Sequence, residues 1–132
     1  MSAIHTLGGL ERIKSKKLID TLFNGGNSRS LTAFPLRIVY MIRARESDDN
    51  SQAQIMVSVS KRHFKRAVKR NRIKRQIRET YRQNKELLLD VLIQKPETTV
   101  CMAFIWQSDQ LFPSSDIEHC MKSLLQRVAE KL

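Results

Sequence analysis

Apolar residues recur along this chain at two different periods, and the switches between them predict its elements. Leu18, Ile19, Leu22 and Phe23 make a helical stripe, so a first helix is expected from about Ser15 to Phe23. Asn24-Gly25-Gly26 should stop it, because Asn and Gly accept the left-handed conformation at a helix end. Alternation with a period of two follows. Ser28 to Thr32 reads as a short strand and Leu36 to Arg45 as a second. The second puts Leu36, Ile38, Tyr40 and Ile42 on one face and Arg37, Val39, Met41 and Arg43 on the other. Ile55 to Ser60 is a third strand, after a polar turn from Glu46 to Ser51, and the three together read as an antiparallel meander.

From His63 to about Gln83 the period is helical again, with Ile73, Ile77 and Tyr81 on one stripe. Phe64 and Val68 point away from that stripe. Either the helix starts near Ala67 and Phe64 packs from a preceding turn, or the helix uses two surfaces. A short apolar helix, Lys85 to Ile93, is closed by Pro96. Thr98 to Trp106 is a strand apolar on both faces, which predicts a central place in the sheet. A last helix after Pro113 carries Ile117, Met121, Leu124, Leu125 and Val128. The order is α-β-β-β-α-(α)-β-α. No internal repeat or linker divides the chain, so residues 1–132 are expected to be one domain, with 1–10 a loose tail whose boundary Gly8-Gly9 marks.

No apolar run reaches the ~20 residues of a membrane span, and Met1 to Leu10 has no basic segment followed by an apolar one. No membrane association is expected. Cys101 and Cys120 form no CxxC pair and read as reduced, buried thiols of a cytoplasmic protein.

Charge changes the picture. The chain has 24 Lys+Arg against 13 Asp+Glu, a net charge of +11. Lys61 to Arg82 holds eleven bases and one acid, Glu79, while the other 110 residues are close to neutral. A near-neutral globule therefore carries one intensely cationic segment. On a continuous helix Arg62, Arg66, Arg70, Lys74 and Arg78 would form a like-charged row, and Lys61, Lys65 and Lys69 a second. Like charges at that spacing repel, and a polyanion relieves the repulsion. Arginine forks grip phosphates bidentately, which points to nucleic acid without separating RNA from DNA.

Catalytic patterns are missing. Gly8-Gly9 and Gly25-Gly26 are isolated pairs rather than a phosphate loop, and His5, His63 and His119 are scattered. Asp48-Asp49 reads as a solvated hairpin tip. The protein by itself does not look like an enzyme.

Arg70-Asn71-Arg72-Ile73-Lys74-Arg75, followed by Ile77-Arg78-Glu79 and preceded by a strand ending Val57-Ser58-Val59-Ser60-Lys61, resembles the protein subunit of bacterial ribonuclease P. Ile13-Lys14, the Leu18 to Phe23 helix, the Gly26 turn and Leu36 to Tyr40 follow that family's N-terminal pattern. The Thr98 to Trp106 strand and the last helix follow its C-terminal pattern more loosely.

The resemblance implies an α/β fold, an α+β two-layer sandwich whose four-stranded sheet has a left-handed βαβ crossover. It implies that a catalytic ribonuclease P RNA performs the hydrolysis with Mg²⁺ bound mainly by that RNA. The protein would hold this RNA and the 5′ leader of precursor tRNA. Carried over residue by residue, the RNA-binding set is Lys61, Arg62, Lys65, Arg66, Lys69, Arg70, Asn71, Arg72, Lys74, Arg75 and Arg78. The leader cleft, between the first helix and the sheet, falls on Lys14, Ile19, Phe23 and Tyr40. Ile19 stands where many members have Phe, and the loop after Lys61 lacks a common glycine and is one residue longer. Ordinary core packing is the alternative for Phe23 and Tyr40. Among functions, the competitors are a structural RNA-binding protein of the ribosomal type and a DNA-binding regulator.

Overall fold

The computed structural model describes residues 12, 13, 15–47, 49 and 51–132. Its elements run α1 (Lys16–Asn24), β1 (Arg29–Ala33), β2 (Leu36–Ala44), β3 (Ala53–Ser58), α2 (Ala67–Asn84), α3 (Glu86–Leu92), β4 (Thr98–Trp106) and α4 (Ser114–Ala129). His5, Gly8-Gly9, Lys14 and Asp48 lie outside the described residues. Among the described residues, no helix is long and apolar enough to cross a membrane.

Helix α1 starts where Ser15 caps it by accepting the Leu18 N–H, 3.3 Å. It ends because Gly25 donates to the Thr21 carbonyl, where any Cβ would collide with that oxygen, and Gly26 then takes a φ of 81°.

The four strands form one sheet in the order β1-β2-β4-β3. β1 and β2 are an antiparallel hairpin, and β2 pairs antiparallel with β4 along its whole length. β3 lies parallel to β4 and does not touch β2. The expected meander is therefore wrong at its third strand. Burial supplies the reason. β4 has Val100, Cys101, Met102, Ala103 and Phe104 all inaccessible to solvent, which only a strand flanked on both sides and covered on both faces can achieve. The parallel β3–β4 pair needs a long crossover, and α2 with α3 supplies it.

Alternation along β2 and β4 sorts the core into two. Leu36, Ile38, Tyr40, Val100, Met102 and Phe104 face α2, α3 and α4 in the main core. Val39, Met41, Cys101 and Ala103 face the other way and are covered by α1 through Leu22. The helical layer on the main face matches the two-layer expectation, and α1 adds a partial third layer behind the sheet.

The start of α2 is settled by Phe64 and Val68. Phe64, 7% exposed, packs into the main core from the turn before the helix, while Val68 on the first helical turn is 79% exposed. Both cysteines are free and buried, and burial pushes both thiols above their ordinary pKa.

Asp49 departs from the solvated tip expected of it. It is 8% exposed and accepts from Arg43 at 2.6 Å, the Glu46 N–H at 2.9 Å, Gln54 at 3.2 Å and Thr99 at 3.2 Å. Since β2 and β3 are not neighbours, the segment between them is no hairpin tip. Asp49 ties it to β2 through Arg43, to β3 through Gln54 and to β4 through Thr99. Burial acts to raise the Asp49 pKa, but the Glu46 N–H and the Arg43 charge overcome it and hold the carboxyl below its ordinary value.

Candidate nucleic-acid interface

Ile73, Ile77, Thr80, Tyr81 and Asn84 bury one side of α2. At ~100° per residue, Asn71, Arg75, Arg78 and Arg82 stand on the opposite side, with Arg72 and Lys74 flanking them. The fold thus turns Asn71 and Arg72 of the RNR segment outward because the apolar stripe is claimed by the core. Helix α2 has no acid in its first turn, and its N-cap residue, Arg66, makes no side-chain capping bond. Cations crowd the end where the helix dipole is already positive, an arrangement an anionic partner relieves.

The helix start corrects the charge rows. Lys61, Arg62, Lys65 and Arg66 precede Ala67, so they belong to a loop and not to i, i+4 rows. Only Arg70, Lys74 and Arg78 keep that helical spacing. Four side-chain bonds hold the loop. His63 Nδ1 lies 2.6 Å from the Asp109 carboxylate. The Ser60 hydroxyl accepts from the Arg62 N–H at 3.1 Å. Arg70 donates to the carbonyls of Phe64 and Lys65, each at 2.8 Å. Arg70 is thereby committed to its own backbone, unlike the rest of the expected set.

Glu79, the acid of this segment, accepts from Arg82 Nε at 3.1 Å and from Gln83 at 3.1 Å, and the Arg82 contact holds its carboxyl below the ordinary pKa. Arg82 is neutralised there. Among the described residues, no carboxylate pairs with Lys61, Arg62, Lys65, Arg66, Lys69, Arg72, Lys74, Arg75 or Arg78. These nine cations of the loop and α2 therefore carry no compensating carboxylate.

Arg12 enlarges this surface, and the sequence reading passed over it. It makes a parallel bridge to Ile55 at the outer edge of β3, beside which Ile13 donates to the Ile55 carbonyl at 2.8 Å. Partial burial lowers the Arg78 pKa, and the nearby Arg12 charge lowers it further. A single arginine before Ile13 carries no local signal of such a contact, which is made by strand pairing across more than forty residues.

The two aromatic residues expected to share a cleft are not brought together. Phe23 is 41% exposed on α1. Tyr40 is 1% exposed in the main core, on the face of the sheet opposite to α1. Strand alternation is the cause: α1 covers Val39 and Met41, so the residue between them points away. Tyr40 offers no ring face for stacking and leaves the cleft set. Ile19 is half-buried against Val39, Met41, Cys101 and Ala103, so it serves as packing. Among the described residues no three His, Cys, Asp or Glu side chains gather as a metal site.

The profile of the family described as Ribonuclease P matches residues 7–128. A ribonuclease P protein component from Porphyromonas gingivalis is 40% identical over 119 residues, covering 90% of this chain and 83% of that protein. One from Chlorobaculum tepidum is 32% identical over 124 residues, covering 87% and 80%. Among solved structures, the RNase P protein from Thermotoga maritima superposes with a TM-score of 0.66 at 19% identity, covering 89% of this chain and 96% of that one. A Staphylococcus aureus RNase P protein mutant gives 0.65 at 18%, covering 91% and 88%. The profile match across nearly the whole chain and the relative at 40% identity lead to one conclusion: this chain belongs to the ribonuclease P protein family.

Proposed function

We propose that the chain binds the catalytic RNA of ribonuclease P and the 5′ leader of precursor tRNA, and so assists removal of the leader. The observation that carries this reading is the uncompensated cationic surface made by the 61–66 loop and the outer side of α2. Phosphates supply the charge that the surface lacks, and arginine forks on a rigid helix fix their register. On this reading hydrolysis and Mg²⁺ belong to the RNA, and the protein works in the cytoplasm beside it. Phe23 is the aromatic face available to an unpaired leader base, and stacking of that kind contributes ~1–3 kcal/mol per base.

Reconstitution tests the proposal. The purified protein is added to a bacterial ribonuclease P RNA at low Mg²⁺, and release of the 5′ leader is measured. Stimulated cleavage is expected, with none from the nuclease-free protein alone. RNA binding without stimulation would instead favour a structural RNA-binding protein.

A further inference from the structure

The two edges of the sheet are finished differently. At the β3 edge α2 and Arg12 complete the surface described above. At the other edge β1 covers only part of β2: their pairing runs from Arg29 opposite Tyr40 to Ala33 opposite Leu36, while β2 continues to Ala44. Beyond Tyr40 the edge of β2 is open.

The ladder decides which backbone groups meet that opening. Val100 donates to the Gln52 carbonyl at 2.7 Å, so it points toward β3. Its neighbours Thr99 and Cys101 therefore point toward β2, where they oppose Arg43 and Met41. Ile42, between those two, turns its N–H and C=O the other way, into the opening. By the β1–β2 register its partner would be Asn27, which lies outside the strand.

A cavity of about 440 Å³ fills this gap, bordered by Asn27, Arg29, Tyr40, Ile42 and Lys131. No carboxylate lines it. Arg43 borders it too, but its terminal nitrogens are occupied by Glu46 at 2.8 Å and Asp49 at 2.6 Å. Arg29 and Lys131 are exposed, and neither side chain has a hydrogen bond or ion pair among the described residues. The last carbonyls of α4 already accept from the N–H groups of Glu130, Lys131 and Leu132, which blunts the negative end of that helix. The groove thus combines a backbone donor with no strand partner, a side-chain amide and two free cations.

We propose that this groove binds a phosphate group, held by the Ile42 N–H and Asn27 and neutralised by Arg29 and Lys131. The arginine supplies a fork and the lysine a compact charge. The phosphate comes either from a phosphodiester of a nucleic-acid strand or from free inorganic phosphate. The site is independent of the partner of α2, since it occupies the opposite edge of the sheet.

The test follows the backbone amides of the ¹⁵N-labelled full chain by NMR. It is titrated with inorganic phosphate and, separately, with a short oligouridylate lacking terminal phosphates. The Ile42 amide should shift saturably. Arg29→Gln with Lys131→Gln should weaken that response about tenfold, the scale of losing a charged hydrogen bond. The Arg72 and Arg75 amides should respond to the oligouridylate as before. Shift with the oligouridylate identifies a strand as the source, and shift with phosphate alone identifies the free ion. A silent Ile42 amide in both titrations overturns the site, as does a response unchanged in the double variant. Lys131→Arg keeps the charge and should keep the response; its loss with the fold intact also overturns the assignment. Failure of the α2 reading would appear separately, at Arg72 and Arg75.

Discussion

Arg70 holds the Phe64 carbonyl at 2.8 Å, so a residue of the RNR segment secures the loop that precedes its own helix. The same nitrogen reaches the Lys65 carbonyl at 2.8 Å. Four cations of the interface, Lys61, Arg62, Lys65 and Arg66, sit on that loop. Arg70 and Arg75 are chemically identical, but at ~100° per residue they stand about 140° apart around α2, so their variants should fail differently.

Arg70→Ala should lower the melting temperature and raise amide exchange across 61–66. Arg75→Ala should leave both unchanged. Arg72→Ala and Arg75→Ala should instead weaken binding of ribonuclease P RNA and reduce the log–log salt slope by ~0.7–0.9 per lost phosphate contact. Lys122→Ala is the control, because Lys122 sits on α4 with only a 3.7 Å contact to Glu118. Equal loss of RNA affinity in all of these variants would mean that net charge alone matters.

Phe64 and Val68 test the start of α2. Phe64→Ala removes a buried ring and should cost about 3–5 kcal/mol of stability. Val68→Ala removes an exposed side chain and should stay within about 0.5 kcal/mol. Denaturant midpoints measure both. Similar values would show that the helix begins before Ala67.

Phe23 and Tyr40 should also separate. Phe23→Leu should weaken the holoenzyme's grip on leader-bearing precursor tRNA by ~1–3 kcal/mol while mature tRNA binds as before. Tyr40→Leu should lower the melting temperature and leave the precursor-to-mature affinity ratio unchanged, because its ring is in the core. A selective loss of precursor binding in Tyr40→Leu, with the protein folded, would return Tyr40 to the leader site.

Asp49 gives the fold an acid limit. Its carboxyl titrates below the ordinary aspartate value in the folded state, so it contributes stability above the unfolded pKa of about 3.9. That contribution is lost as pH falls through the lower folded pKa. Asp49→Asn should reduce stability at neutral pH and flatten its fall as the pH drops below about 4. Asp49→Ala leaves Arg43 without its 2.6 Å partner and should cost about 3 kcal/mol at neutral pH. Urea titrations across that range measure the slope. An unchanged slope in Asp49→Asn would move the acid limit to another group.

Much of this molecule is local and was legible in the chain. The stripe on α4, the alternation in β2 and the limits of β4 follow from side chains a few residues apart, because backbone geometry repeats every 3.6 or two residues. The charge imbalance from Lys61 to Arg82 needs no structure at all. What required tertiary structure was every feature set by partners distant along the chain. Strand order was one: β4 enters between β2 and β3 because its two apolar faces and two edges must all be covered. The burial of Asp49 was another, since Gln54 and Thr99 reach it from different strands. The commitment of Arg70 and the addition of Arg12 belong here too. Tyr40 marks the boundary between the two. Alternation along β2 already separated it from Val39 and Met41, but only the packing of α1 on those two residues decided which face was the main core and which lay under α1.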